Sequence, residues 1–531
     1  WNLVHGNGLV YNPGEVVEGY TNFLWTMLAA GGLKIGWYPA GLMLAGTIVC
    51  SQALMGMTFF IGRKLAGNSA WALVTAAVLA TDVALVTYGG RGSGIEAVPF
   101  AALCMLPVVL IYGPEKVSTR WRVAAGAALA LASLIRPEGV LIAALLLVVT
   151  WWQDRAGGRR PALKLLSAAL LPYLAVVVPY QVWRISFYKW PFPNTFYAKT
   201  GLSIEIIGRG LDYVRQFAAE HWLPAALTLV GGMLAITHAT ILQRKGELLR
   251  RPTLAGGSTS TNSATVSQAG AAVDSRASET GGDVTSRRPF APGRDVASRR
   301  TSEAGENHRS RTSETRVGLA LFVAVFTLYI VSIGGDWFPS QRFFVPLLAP
   351  LALLAQEAAR IALGRTPPRL HSIARGGLTV VLLAYTGYSL WLQRPEGDLA
   401  DRTNRHSTYI DRWGTAGVWL RDNTPPGTWT AARAAGAMAY YSQRPVLDMY
   451  GLNDLHIGHL NVPGMGSNVA GHEKQDAAYV LGRKPTYVLA SWEDYFDPVA
   501  AELKKRYSYR VVRSPTGPEV KWLKLTTQAT P

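Results

Sequence analysis

Five segments of this chain set ionisable residues of both signs among aromatic and apolar ones, a pattern able to hold an anion and to bind or deprotonate hydroxyls. GNGLVYNPGEVVEGYTNFLW (6–25) carries Glu15, Glu18 and Asn22, and YGGRGSGIEAVPF (88–100) carries Arg91 and Glu96. LIRPEGV (134–140) adds Arg136 and Glu138, and FYKWPFPNTFYAKTG (187–201) adds Lys189, Asn194 and Lys199. GGDWFPSQRFFVP (334–346) brings Asp336 and Arg342. Arginine binds phosphate through paired hydrogen bonds and lysine as a point charge. A carboxylate can bind sugar hydroxyls or remove a proton from one. Each residue also has an ordinary reading. Glu96 can favour a helix N-terminus, Asn194 can shape the turn after Pro193, and Arg136 with Glu138 can form a local pair. Asp336, beside Trp337 between two apolar blocks, is the hardest to explain by anchoring alone.

The elements that must position these residues follow from composition. The chain has 531 residues, of which 49% are hydrophobic and only 16% charged, against about 25% charged in an average soluble protein. Apolar residues come in blocks that approach the ~20 needed to cross a bilayer. Spans are expected near 40–61, 67–87, 95–112, 121–135, 138–152, 162–185, 222–242, 317–333, 343–363 and 376–392, about ten helices in all. The net charge of +18 does not indicate a nucleic-acid partner, because Lys and Arg sit in short clusters between the blocks. That is the positive-inside pattern of a protein whose partner is the lipid bilayer. Placing the basic clusters in the cytoplasm puts 1–39, 88–94, 186–221, 334–342 and 393–531 outside, so all five segments reach one face. Segment 21–36 is then an amphipathic or re-entrant piece, since counting it as a span would reverse every later loop.

The chain therefore divides into an outer segment (1–39), a first set of helices (40–251), an insertion (252–316), a second set (317–392) and an extracytoplasmic domain (393–531). The insertion is rich in Ser, Thr, Gly and Arg, with nine Arg against seven Asp and Glu. It lacks the apolar residues needed to offset the entropy of ordering and is expected to be unstructured and cytoplasmic. In the last part, strands at 428–432, 444–449, 485–490, 509–512 and 520–525 alternate with helices at 408–423, 476–484 and 497–507. The expected fold is a multi-pass α-helical membrane protein with a small C-terminal α/β domain. Asp448, Asn453 and Asp454 of that domain join Glu15, Asn22, Glu96, Arg136 and Glu138 as candidates for the acceptor side. His456, His459 and His472 lack metal-ligand spacing, and Cys50 and Cys104 lie in apolar blocks, so neither a metal site nor a disulfide framework is read.

Taken together, NGLVYNPGEVVEGYTNFLW, GSGIEAVPFAAL, LIRPEGV, PFPNTFYAKTG, GGDWFPSQRFFVPLL and MAYYSQRPVLDMYGLNDLHIG resemble a bacterial group within the glycosyltransferase C superfamily. That group is related to the terminal arabinofuranosyltransferases of mycobacterial cell walls. The resemblance covers nearly the whole chain apart from 252–316. It implies a polyprenyl-phosphate-sugar donor, transfer on the outer face of the plasma membrane, and a C-terminal domain lining the active site. It also implies an acidic motif, often Asp-Asp, a few residues before an RYAxNLVxGNG stretch. Here the chain opens at the equivalent of that stretch with Trp1-Asn2-Leu3. The catalytic carboxylate is accordingly expected upstream of Trp1, with Glu18 the candidate inside the sequence.

The donor site is assigned to Asp336, Arg342, Lys199, Arg91 and Asn194. A glycosyl phosphate is already a competent leaving group, so a base for the acceptor hydroxyl and cations for the phosphate suffice. One direct displacement would invert the anomeric carbon. No cofactor is demanded, and a divalent cation on the phosphate is left open. Sugar and acceptor, an envelope glycan or lipid, are not specified; arabinofuranose is one option. Two readings compete with the enzyme. A secondary transporter would also bury charges among many spans, although no inverted repeat is seen, and a non-catalytic envelope assembly protein would not need the acidic motif.

Overall fold

A computed structural model describes residues 1–90, 94–156, 158, 162–201, 203–228, 294–394, 412–433, 436–512 and 520–526. The chain forms two compact units, one of 1–231 with 312–531 and one of 232–311. Helix α1 (Phe23–Lys34) has 12 residues and is too short to cross a bilayer. Then come α2 (Pro39–Ala66), α3 (Ser69–Ala80), α4 (Val83–Gly89), α5 (Ala97–Tyr112), α6 (Thr119–Ile135), α7 (Gly139–Ala156) and α8 (Ala162–Tyr188). Two shorter helices follow, α9 (Asn194–Lys199) and α10 (Ile204–Glu220). The later helices are α11 (Arg294–Ile333), α12 (Leu348–Arg365) and α13 (His371–Leu392).

Among the described residues, five helices are long and apolar enough to span: Pro39–Ala66, Gly139–Ala156, Ala162–Tyr188, Arg311–Ile333 and Pro339–Arg365. A sixth span is added if α3 and α4, bent by 64°, count as one. This is fewer than the ten expected, for identifiable reasons. The block at 67–87 breaks at Asp82, whose carboxylate accepts the Ala84 and Leu85 amides at 2.9 and 3.1 Å and restarts the helix as α4. Helices α5 and α6 have only 16 and 17 residues. Helix α13 is diluted by His371, Arg375, Gly376 and Gly377. The expected span 222–242 lies mostly outside the described residues.

Helix α11 also begins at Arg294 rather than at 317, so part of the stretch expected to be unstructured is helical. Once an apolar helix is nucleated, each further residue adds a hydrogen bond for little cost, and the helix propagates into polar sequence. The remaining insertion residues, 252–293, lie outside the described set. Between α6 and α7, Arg136 has extended backbone (φ −147°, ψ 138°), as expected of a residue before proline. The two apolar runs are therefore separate helices joined at Arg136-Pro137-Glu138. The membrane core packs Leu54, Ile61, Phe100, Met105, Leu129, Ile142, Phe322 and Phe326, each at most 1% exposed.

The C-terminal domain has the five expected strands: β1 (Thr430–Ala432), β2 (Val446–Asp448), β3 (Tyr487–Leu489), β4 (Tyr507–Val512) and β5 (Val520–Leu525). Their order is β2-β1-β3-β5-β4. β1 runs parallel to β2 and β3, and β5 is antiparallel to β3 and β4. The N-terminal loop extends this sheet. The Asn12 amide donates to the Val446 carbonyl (3.0 Å) and accepts the Val446 amide (2.9 Å), so one side chain occupies the place of a neighbouring strand.

The orientation read from the basic loops has a direct check. Asn423 is exposed, while the native Cys50 is half-buried and Cys104 buried, so background labelling is low. In intact cells, a cysteine at Asn423 is expected to react with an impermeant maleimide and one at Ser260 is not. Reaction at Ser260 alone would invert the topology.

Candidate active site

The charged residues of three segments meet where α5 begins, α6 ends and the loop before α12 turns. Arg136 sits at the α6–α7 break with its guanidinium 2.7 Å from Glu96 and 2.8 Å from Glu138, all three at most 8% exposed. Asn22, just before α1, donates to the second Glu96 oxygen at 3.1 Å. Arg342 pairs with Asp336, whose other oxygen accepts the Tyr213 hydroxyl at 3.0 Å. The Tyr213 oxygen in turn accepts the Phe343 amide at 3.2 Å. The two guanidiniums share an aromatic floor: Arg136 lies 4.9 Å from the Phe343 ring centre and Arg342 lies 4.0 Å from that of Phe338.

Lys199, at the end of α9, completes this group. It is half-buried, and among the described residues no carboxylate forms an ion pair with it. Its stem runs against Gly471 of the C-terminal domain, where a Cβ would come within 3.1 Å of Lys199 Cε. Burial, reinforced by the neighbouring Arg342 charge, lowers its ammonium pKa to about 8. His472 follows in the same loop, its ring 5.7 Å from Trp337 and 4.5 Å from Tyr450. Burial holds that imidazole below its usual pKa, helped by Lys199 and Arg433.

The other expected residues lie in different settings. Glu18 pairs with Arg184 of α8 at 2.9 Å, and burial raises its carboxyl above the usual range. Arg184 also donates to the Pro191 carbonyl at 2.9 Å, so this pair fastens the N-terminal loop to the end of α8. Asn194 donates to the carbonyls of Gly451, Leu452 and Asp454 at 2.8 to 3.1 Å, which clamps the C-terminal domain rather than facing the charged group. Asp448 accepts the Tyr450 and Asn453 amides and the Asn453 side chain, while Asp454 caps a short helix at Ile457 and accepts the Tyr479 hydroxyl. Glu15 pairs with Arg483 at 2.7 Å. Arg91 lies outside the described residues.

Sequence reasoning missed Tyr213, Arg184 and the Arg209–Glu473 pair. Arg209 of α10 donates to the Gly334 carbonyl at 3.0 Å and the Asn468 carbonyl at 2.7 Å, and pairs with Glu473 at 3.1 Å. It ties the GGDW loop to the domain loop that holds His472. Arg184 left a signal, a lone charge inside the apolar run of α8; Tyr213 and Glu473 left none. Among the described residues no group of three or more His, Cys, Asp or Glu is placed to hold a metal ion.

This arrangement, charged helix ends on a multi-pass helical body with an α/β domain set against them, is a fold of the glycosyltransferase C type. The crystal structure of ArnT from Cupriavidus metallidurans bound to undecaprenyl phosphate is similar over 100% of this chain and 92% of that one, with a TM-score of 0.52 at 14% identity. In sequence, the chain is similar to the terminal beta-(1->2)-arabinofuranosyltransferase of Mycobacterium tuberculosis, 30% identical over 276 residues (48% of this chain, 41% of the relative). The Corynebacterium glutamicum protein of the same name is 28% identical over 287 residues (48% and 40%). The chain thus spans about two-fifths of the length of the curated relatives it matches. Residues 401–523 match a family model described as a domain of unknown function (DUF8728).

The Lys199 environment predicts that binding of an anion there is pH-dependent. The ammonium is charged below about 8 and neutral above it, while a phosphate monoester keeps its second charge above pH ~6. Affinity for a phosphate monoester probe held at Lys199 is therefore expected to fall as pH rises through 8, by up to about tenfold per unit for one proton. A bound anion displaces that fall upward. Lys199→Arg, with a guanidinium that does not titrate, is expected to flatten the profile measured by equilibrium binding in nanodiscs.

Proposed function

We propose that this chain is a membrane glycosyltransferase that moves a sugar from a polyprenyl-phosphate donor to an envelope glycan or lipid acceptor on the outer face of the bacterial plasma membrane. The observation that carries the reading is Lys199, a cation with no carboxylate partner among the described residues, held beside the Arg342–Asp336 pair. Burying a cation without a partner is costly, and such a site is completed by an anion. A phosphate at the membrane boundary supplies it. The names of the sequence relatives and the undecaprenyl phosphate bound to ArnT support the donor class, and arabinofuranose is the sugar those names favour.

The chemistry is a single displacement. The acceptor hydroxyl attacks the anomeric carbon as the bond from that carbon to the phosphate oxygen breaks, and the configuration inverts. Charge then grows on the departing phosphate, where Lys199 and Arg342 stabilise it. A carboxylate takes the acceptor proton. Asp336, anchored by Tyr213, keeps Arg342 aimed at the phosphate. Arg136, neutralised by Glu96 and Glu138, serves as the rigid backing of this site.

Removing a charged hydrogen-bond partner in such a site typically costs about 2–5 kcal/mol, or roughly 30-fold or more. Arg342→Ala, Asp336→Asn and Lys199→Ala are each expected to lower transfer from a polyprenyl-phosphate arabinose by at least that factor in the whole protein. Expression, membrane insertion and gel-filtration profile should stay unchanged. Near-normal transfer by all three folded variants would remove the donor site from this cluster.

A further inference from the structure

Helix α10 presents three faces, of which one meets the protein and one is polar. Ile206, Gly210, Tyr213 and Phe217 recur at helical spacing and form a buried stripe. Glu205, Asp212, Arg215 and Gln216 are exposed. On the remaining flank lies a second apolar stripe of Ile204, Ile207 and Leu211, which are 82%, 48% and 57% exposed. A contiguous apolar stripe left uncovered on a well-packed helix marks contact with something other than water.

The depth of the helix identifies that contact. A Cβ on Gly210 would lie 2.2 Å from the Val331 carbonyl oxygen, so the backbone of α10 rests on the last turn of α11. The apolar part of α11, Arg311–Ile333, is one of the spans. Arg209 donates at 3.0 Å to the carbonyl of Gly334, one residue beyond it. Helix α10 therefore lies across the end of a membrane-spanning helix, where hydrocarbon gives way to headgroups. Leu328 of α11 is 69% exposed, so the span beneath faces lipid to within two turns of its end. The stretch leading from α8 into α10 adds exposed Trp190, Phe192 and Phe196, and aromatic side chains gather at membrane–water boundaries.

We infer that α10 is a surface-lying helix whose Ile204–Ile207–Leu211 flank is bedded in the lipid surface, and that the bilayer thereby holds two parts of the donor cluster in place. Tyr213, on the buried stripe, donates its hydroxyl to Asp336 at 3.0 Å, while Arg209 holds Gly334 two residues earlier. The inference rests on the transferase reading for the meaning of that cluster, and it adds the lipid surface as the partner that sets its geometry. The helix contains no lysine; Arg209 pairs with Glu473 within the protein, and Arg215 pairs with Asp212 at 3.2 Å. Its hold on the bilayer thus comes from apolar insertion and not from attraction to anionic headgroups.

The test uses the whole protein in phosphatidylcholine vesicles, with nitroxide labels at Ile207→Cys and Leu211→Cys and, for comparison, at Glu205→Cys and Asp212→Cys. Labels at 207 and 211 are expected to collide more with dissolved oxygen than with a water-soluble nickel chelate, and those at 205 and 212 to show the reverse. Adding phosphatidylglycerol should leave both patterns unchanged. Nickel access at 207 and 211 overturns the inference, and so does spin–spin broadening there, which would put a second copy on the stripe. Ile207→Glu combined with Leu211→Glu should expel the flank. Amides of the 334–343 loop are then expected to exchange hydrogen at least about tenfold faster. Undecaprenyl-phosphate affinity should fall by about fivefold or more, with Ile207→Leu at wild-type values in both measurements. Ile204→Glu, at the most exposed position, is read in the same way should the double variant not fold. A folded glutamate variant that matches the wild type in both measurements overturns the coupling. If the labels and the loop behave as expected but the unsubstituted protein binds no undecaprenyl phosphate, the helix keeps its assignment and the donor reading falls.

Discussion

Charge at the edge of a membrane has to be compensated, and the rest of this structure is organised around that constraint. An isolated guanidinium or carboxylate in such a setting costs several kcal/mol. Arg136 is tolerable because Glu96 and Glu138 reach it from two directions. Those directions exist because one apolar run stops at Ile135, ahead of Pro137, and restarts at Gly139, while α5 begins at Ala97. Helix breaks that would weaken a plain span are thus the means by which paired charges are presented. The same holds for the turn before α12, where Ser340 and Gln341 are buried with left-handed backbone at φ 53° and 42°. Non-glycine residues there carry a strain of about 1–3 kcal/mol each. Packing of Phe344 and Phe217, stacked with centroids 3.9 Å apart, helps to hold the turn in that form.

The C-terminal domain is fixed to this body by side chains that satisfy backbone groups, and its position follows from them. Asn12 completes the edge of β2, Asn194 gathers three carbonyls of the 451–454 loop, and Arg209 bridges Gly334 to the 464–473 loop. Unpaired buried carbonyls and amides are rare in folded proteins because each costs about 1–3 kcal/mol. These three residues therefore set where His472 and Gly471 stand relative to Lys199. The loop that carries His472 is thus positioned through the satisfaction of backbone groups.

How much of this was legible in the sequence depended on contrast. Glu96, Arg136, Glu138, Asp336 and Arg342 stood out because charges are conspicuous in apolar surroundings, and the structure brings all five together with Asn22 and Lys199. The strands of the small domain were readable from their β-branched and aromatic runs. Legibility failed where the signal was ordinary. Asn194, Asp448 and Asp454 look like binding residues but act on backbone groups, a role that sequence cannot separate from ligand binding. Tyr213 and Glu473 are unremarkable residues whose partners lie 123 and 264 positions away. Among the described residues fewer helices are long and apolar enough to span than the apolar blocks suggested, because hydropathy registers blocks and not the bend at Asp82 or the shortness of α5 and α6.

Asn22 stands at the start of α1 and links two parts of the structure, with Glu96 on its amide nitrogen and Thr26 of α1 on its oxygen. Glu96 in turn pairs with Arg136 at 2.7 Å. A shift of α1 is therefore felt at the carboxylate that steadies Arg136, through two hydrogen bonds and no larger motion.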